Sequence, residues 1–177
     1  MIDLTAKSAA EGLLPVTIGT LSLSEMPFRE IHSIAPLEGA KVSAALKKAV
    51  GVGLPDAGKS SAKGDVETLW TARGQYFLIG AKPPELSAAI TDQSDAWCAV
   101  VFTGEGVVNA MVRVCPVDVA RMNEGDVVRS LIGHMSAIIV KRANGFEVMV
   151  FRAFAKTLVH ELREVMASLD AQAALPD

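Results

Sequence analysis

Two pairs of β-strands joined by tight turns constrain this chain more than any other feature of its sequence. Val66–Ala72 and Gln75–Ile79 read as one pair turned at Arg73-Gly74; Met135–Lys141 and Phe146–Phe151 read as a second around Ala143-Asn144-Gly145. Turns this short fold a strand back onto its neighbour, so both pairs are expected to be antiparallel. A strand and a helix precede each pair. Phe28–Ile34 alternates as a strand, and Glu38–Val50 places Val42, Ala45, Leu46 and Ala49 on one helical face with Lys41 and Lys48 off it. Trp97–Phe102 reads as a buried strand, with Thr103 as the N-cap of a helix from Gly104 to about Val112. A helix also follows each pair. The first is short and starts at Pro84; the second, Ala153–Leu169, lines up Phe154, Leu158, Leu162, Val165, Met166 and Leu169 in one apolar stripe. The order β-α-β-β-α therefore occurs twice. It predicts an α+β fold of duplicated β-α-β-β-α units with antiparallel sheets, a single domain over residues 1–177 built from two intertwined repeats at about 28–91 and 97–169. The first 27 residues, of weak period, and the Gly-, Ser- and Lys-rich loop Val50–Asp65 fall outside this pattern.

Composition narrows the function classes. The chain has 177 residues, enough to bury roughly 70% of its unfolded surface without disulfides or metal. Half of its residues are hydrophobic while only 5% are aromatic, so the excess is Ala, Val, Leu, Ile and Met. That is more apolar material than a small duplicated core requires, and a partner interface drawing on Met1–Met26 and Val50–Asp65, or self-association of the isolated chain, is the expected outlet. The longest apolar runs, Ala96–Phe102 and Ala137–Val140, fall far short of the about 20 residues of a bilayer span, so no membrane is expected. Met1-Ile2-Asp3-Leu4-Thr5, followed by Lys7 and Glu11, has neither a basic start nor an apolar stretch of a signal peptide, which points to the cytoplasm. A net charge of −3 and no basic stripe argue against nucleic acid. Cys98 and Cys115 make neither a disulfide framework nor a metal quartet and read as buried, reduced thiols.

Sequence motifs for chemistry are few. Gly53-Leu54-Pro55-Asp56-Ala57-Gly58-Lys59-Ser60 matches the phosphate-loop pattern letter for letter. That loop works only between an entering strand and a helix starting at its Lys-Ser end. Here a helix precedes it and the polar Ser61–Asp65 follows, so it reads as coincidence. Gly51-Val52-Gly53 lacks the third glycine of a dinucleotide fingerprint. His32, His134 and His160 lie in no metal-ligand spacing; His160 is expected in solvent and His134 at a strand end. Asp92, Ser94 and Asp95 could pair carboxylates for acid-base work, but turn chemistry before the Trp97 strand explains them more simply. No serine or cysteine nucleophile comes with an identifiable base.

The residues left over line up with a known family. Leu69-Trp70 and Tyr76-Phe77-Leu78-Ile79-Gly80 resemble paired strands of the gamma subunit of heterotetrameric sarcosine oxidase. Thr91-Asp92-Gln93-Ser94-Asp95-Ala96-Trp97 is similar to its Asp-x-Ser turn, and Gly104–Val112 to its Gly-x-x-Ala helix, with Asn109 where that pattern has Ala and, further on, Val119 where the next has Leu. Cys115-Pro116-Val117-Asp118-Val119 resembles its Cys-Pro-x-Asp-Leu segment, and Arg152-Ala153-Phe154-Ala155 its Arg-Ser-Phe-Ala. The shared order runs from Val66 to Leu169. The resemblance implies a fold related to the folate-binding domain of aminomethyltransferases. It also implies a cytosolic flavoenzyme complex that oxidatively demethylates sarcosine to glycine. Alpha, beta and delta subunits would be the partners, with FAD, FMN, NAD and tetrahydrofolate in the larger ones. This chain would then be a structural subunit with no catalytic, cofactor-binding or metal residues of its own. The alternative from a different class is a stand-alone folate-binding or one-carbon-transfer protein, which needs an acidic residue and an aromatic wall in a central pocket.

Overall fold

A computed structural model describes residues 6–38 and 40–175. The chain begins with β1 (Val16–Ile18), β2 (Leu21–Glu25), β3 (Ile31–Pro36), α1 (Val42–Val50), β4 (Ser60–Lys63), β5 (Val66–Ala72), β6 (Gln75–Ile79) and β7 (Ala88–Asp92). It continues through β8 (Trp97–Gly104), α2 (Val107–Val114), β9 (Val127–Ile132), β10 (Met135–Arg142), β11 (Gly145–Phe151) and α3 (Ala155–Ala173). The strands form two antiparallel sheets, in the orders β1-β2-β8-β11-β10-β9 and β4-β5-β6-β3-β7. Each sheet contains a three-strand meander, β4-β5-β6 or β9-β10-β11. In each, the strand before the helix (β3 or β8) pairs with the last strand of that meander.

The fold class is the expected α+β with antiparallel sheets, but several elements differ from the reading of the sequence. The unit runs β-α-β-β-β. β4 lies inside what reads as the Val50–Asp65 loop, and β9 precedes the second strand pair. β7 occupies the region after Pro84 where a short helix is predicted; Pro84 disfavours helical backbone at Pro83 before it, and the chain continues extended. The first 27 residues supply the hairpin β1–β2, which joins the larger sheet through β2 on β8. Thr103 caps no helix, because β8 continues through it to pair with Gly145 and Ser22. Gly104 ends that strand at φ +118°, where an added Cβ would sit 2.0 Å from the Thr20 carbonyl oxygen, so only glycine lets the two strands approach so closely.

Three buried clusters arrange these elements as four layers. α2 and α3 cover one face of the larger sheet, burying Phe102, Met111, Phe146, Leu158, Leu162 and Met166. The two sheets pack on each other through Ile31, Leu69, Phe77, Ile79, Trp97, Val127, Ile138, Val140 and Met149. α1 covers the outer face of the smaller sheet over Ile34, Val42, Leu46, Val52 and Leu78. The larger sheet is therefore buried on both faces, and Ala137–Val140 and Phe146–Val150 are buried without a break. This absorbs much of the apolar excess. Leu21, Leu23 and Val52, from the segments expected to supply a partner patch, are core residues, while most of their neighbours there are half-buried or exposed; Met1–Thr5 lie outside the described residues. Within the α3 stripe Leu158, Leu162 and Met166 are buried as expected, but Phe154 sits in the preceding 3-10 turn and is exposed. Cys98 and Cys115 are free and buried. No described helix is long and apolar enough to cross a membrane.

Candidate functional site

The connection Met26–Glu30 carries the chain from β2 in one sheet to β3 in the other, and the surface around it is concave on three sides. Phe28, 73% exposed, stands on the rim of all three hollows. The first hollow, about 670 Å³, opens where the two sheets part, with Arg29, Glu67, Arg142 and Glu147 in its wall. The second, about 410 Å³, is lined by Phe28, Ile31, Trp97, Ala99 and Arg152 among others. Phe28 is fixed in place by its neighbours in sequence: Met26 N–H donates to the Ala99 carbonyl, and the Arg29 guanidinium is tied to Glu147.

The charges in the first hollow neutralise one another. Glu67, 6% exposed, comes from β5 in one sheet, and Glu147, 1% exposed, from β11 in the other. Arg142 on β10 bridges them. It donates in bidentate fashion to Glu67, Nη1 to Oε1 at 2.6 Å and Nη2 to Oε2 at 2.8 Å, and also reaches Glu147 Oε2 from Nη2 at 2.5 Å. Arg29 donates to the remaining Glu147 oxygen, Oε1, at 2.5 Å. Burial opposes the charge on Arg142, yet its hydrogen bonds to Glu67 and the negative charge of Glu147 outweigh that and raise the guanidinium pKa. The four side chains form a closed, neutral clasp between the sheets, with no free acid or base among them. Behind it, the space between the sheets is filled by the nine apolar side chains of the central cluster.

The aromatic part of the site rests on Trp97. Its ring stacks on Phe151 at 4.6 Å and meets Phe77 edge-on at 5.3 Å, while Nε1–H donates to Gln93. Arg152 lines the same hollow, its guanidinium donating to the Lys7 carbonyl. Phe28, Arg29, Trp97 and Arg152 thus line one hollow.

The residues singled out in the sequence fall elsewhere or serve as structure. Lys59 and Ser60 of the phosphate-loop match form a corner between the sheets: the Lys59 ammonium lies 2.5 Å from Asp126, and the Ser60 hydroxyl donates to the Gly125 carbonyl. The Lys59 ammonium and the Asn123 N–H hold the Asp126 carboxyl below its ordinary range. A strand, β4, follows where a phosphate site needs a helix. Ser94 donates from both its hydroxyl and its N–H to one oxygen of Asp92, lowering that carboxyl's pKa, and accepts from Ile31 N–H. This is turn chemistry, and the Asp95 side chain points into solvent. His134 and His160 are exposed; His32 is half-buried on β3 opposite Asp92. Glu67, Glu147, Arg142 and Arg29 were missed. Their signal is present, a glutamate inside each of two apolar strands, Val66-Glu67-Thr68-Leu69 and Phe146-Glu147-Val148-Met149, where burial requires a cation.

No family model and no curated protein matches the chain. Among solved structures, it is similar to a chain of heterotetrameric sarcosine oxidase from Corynebacterium sp. U-96, determined in complex with pyrrole 2-carboxylate. The likeness covers 93% of this chain and 96% of that one, with a TM-score of 0.79 and 17% sequence identity. At that identity the shared property is the fold. Coverage is nearly complete in both directions, so the shared fold extends over nearly the whole of each chain.

Proposed function

We propose that this chain is the gamma-type, non-catalytic subunit of a sarcosine oxidase-type flavoenzyme complex, a single domain whose two halves, about 28–91 and 97–169, repeat one unit. The observation that carries this reading is the end-to-end likeness to a whole chain of heterotetrameric sarcosine oxidase. In this reading alpha, beta and delta subunits are the partners and work with it in the cytoplasm. FAD, FMN, NAD and tetrahydrofolate belong to those partners, which oxidise sarcosine. The Phe28 surface, with Arg29 and Arg152 at its edges, is the face that meets a larger subunit. The stand-alone folate-binding alternative is disfavoured by two features. Its central pocket would have to lie where Phe77, Trp97, Ile138 and Met149 pack, and the acidic residues at the mouth are already neutralised by Arg142 and Arg29.

Affinity capture of the tagged chain from its own host tests the reading. A stoichiometric, yellow complex that oxidises sarcosine is expected, and Phe28→Asp should reduce its yield while leaving the chain folded. Recovery of the chain free of flavoprotein, or tetrahydrofolate binding by the chain alone, would overturn it.

A further inference from the structure

Among the described residues four strands stand at sheet edges, and three of them are covered or tied to a neighbour at one end. β1 has three residues and packs under α3. β4 and β9 are pinned to each other at the corner, Ser60 N–H donating to the Gly125 carbonyl and Val127 N–H to the Gly58 carbonyl. β7 is different. It pairs with β3 on one side, and four of its five residues are exposed. Its sequence, Ala88-Ala89-Ile90-Thr91-Asp92, has no lysine, proline or glycine, the usual means of blunting an edge.

The hydrogen-bond register fixes which groups are free. Gln93 N–H donates to the Ile31 carbonyl, and the Ser87 carbonyl accepts from Leu37 N–H, so residues 87 and 93 face β3. Alternation in an antiparallel pair then turns Ala89 and Thr91 toward β3, and Ile90, Asp92 and the Ala88 carbonyl outward, the Ala88 N–H being donated to the Leu86 carbonyl. Among the described residues, no other strand pairs with that outer side.

We infer that the outer edge of β7 is a pairing site for a second copy of this chain, joined antiparallel about a two-fold axis at Ile90. The register is self-complementary. An outward-facing residue sits at the centre of a five-residue strand, so Ile90 N–H of each copy meets the Ile90 carbonyl of the other. On either side Asp92 N–H meets the Ala88 carbonyl of the other copy. The charges also suit a symmetric partner, because the register opposes each Asp92 to an alanine and places no like charges across the axis. The two smaller sheets become one continuous sheet. A single strand pair buries less than the roughly 1,200 Å² of a stable complex, so the dimer dissociates on dilution. The inference is independent of the proposed function.

Sedimentation of the purified chain across a wide concentration range is the test. A reversible monomer–dimer equilibrium is expected. Ile90→Pro removes an outward N–H without touching a β3–β7 hydrogen bond, and Ile90→Lys sets two cations across the axis. Both should abolish the dimer while circular dichroism is unchanged. Ile90→Cys should cross-link under mild oxidation, whereas Lys63→Cys on β4 should not, the native cysteines being buried. A wild-type chain that stays monomeric at the highest concentration overturns the inference. So does a dimer that survives both substitutions at Ile90, or one cross-linked equally well from position 63.

Discussion

Arg142→Met cuts the clasp between the two sheets at its centre. Methionine keeps the apolar stem and its packing while removing the charge. Glu67 loses both of its hydrogen bonds to Arg142, and Glu147 keeps only Arg29. With Glu67 and Glu147 nearly inaccessible to water, deletion of one partner from a buried ion pair costs about 3–5 kcal/mol. Because Arg29 still covers Glu147, about 3 kcal/mol is the expected loss. That is a large share of the roughly 5–15 kcal/mol that holds a domain together, and in a chain of this size it lowers Tm by about 6–12 °C. Urea unfolding followed by the fluorescence of buried Trp97 measures it, with the midpoint falling and the slope unchanged. The second variant is diagnostic. Arg142→Met with Glu67→Gln removes the orphaned charge and should recover about 1–2 kcal/mol of the loss. A loss below about 1 kcal/mol, the value of an exposed pair, or a double variant no better than the single one, would refute the account of the clasp.

Other consequences are as direct. Gly104→Ala forces a Cβ onto the Thr20 carbonyl at a left-handed φ and should cost more than about 2 kcal/mol in thermal unfolding; a neutral result would mean that β2 and β8 separate freely. Burial, with a smaller contribution from Glu25, pushes the Cys98 thiol up to about 11. The unfolded chain therefore ionises first, so stability falls as pH rises from about 9 to 11, and Cys98→Ala should remove that part of the slope in a pH series of melts. Lys59→Ala should leave calorimetric titrations with ATP and magnesium as flat as those of the wild type, since both Lys59 and Ser60 are engaged in the corner. Tight binding lost in the variant would contradict that placement. Phe28→Asp should leave Tm unchanged, as the ring is mostly in solvent, yet weaken capture of a larger subunit about 30-fold, the effect of losing a hot-spot anchor.

The tight-turned pairs β5–β6 and β10–β11 were legible because alternation and turn residues are local signals. So was the α3 stripe, whose period is carried by Leu158, Leu162 and Met166. β4, β7 and β9 were not legible. Ser60–Lys63 and Ala88–Asp92 are mostly exposed edge strands with little apolar alternation, and they are strands because a neighbour supplies hydrogen bonds. β8 continuing through Thr103 into Gly104 is likewise a tertiary effect, imposed by β2 and β11 on either side. The clasp could have been suspected from a glutamate in each of two apolar strands, but which arginine meets them depends on how the sheets stack. Part of the apolar excess goes into the larger sheet, which is covered on both faces, while Phe28, Leu37 and Ile90 remain exposed.

The hairpin β1–β2 belongs to the larger sheet, yet the whole of the smaller sheet lies between it and its partner β8 in the chain. On the ribosome, the hairpin, made before β8, therefore has nowhere to dock until Gly104 and the strands beyond it have emerged. Residues Ile31–Asp92 can pair among themselves as soon as they appear, since all the strands of the smaller sheet come from that stretch. Synthesis and assembly thus run in different orders: the smaller sheet forms first, the β8–β11 sheet second, and the N-terminal hairpin last. Closing that long loop sets a slow step. Until then Leu21 and Leu23 are exposed, and a tag or fusion placed ahead of them acts on the last stage of folding.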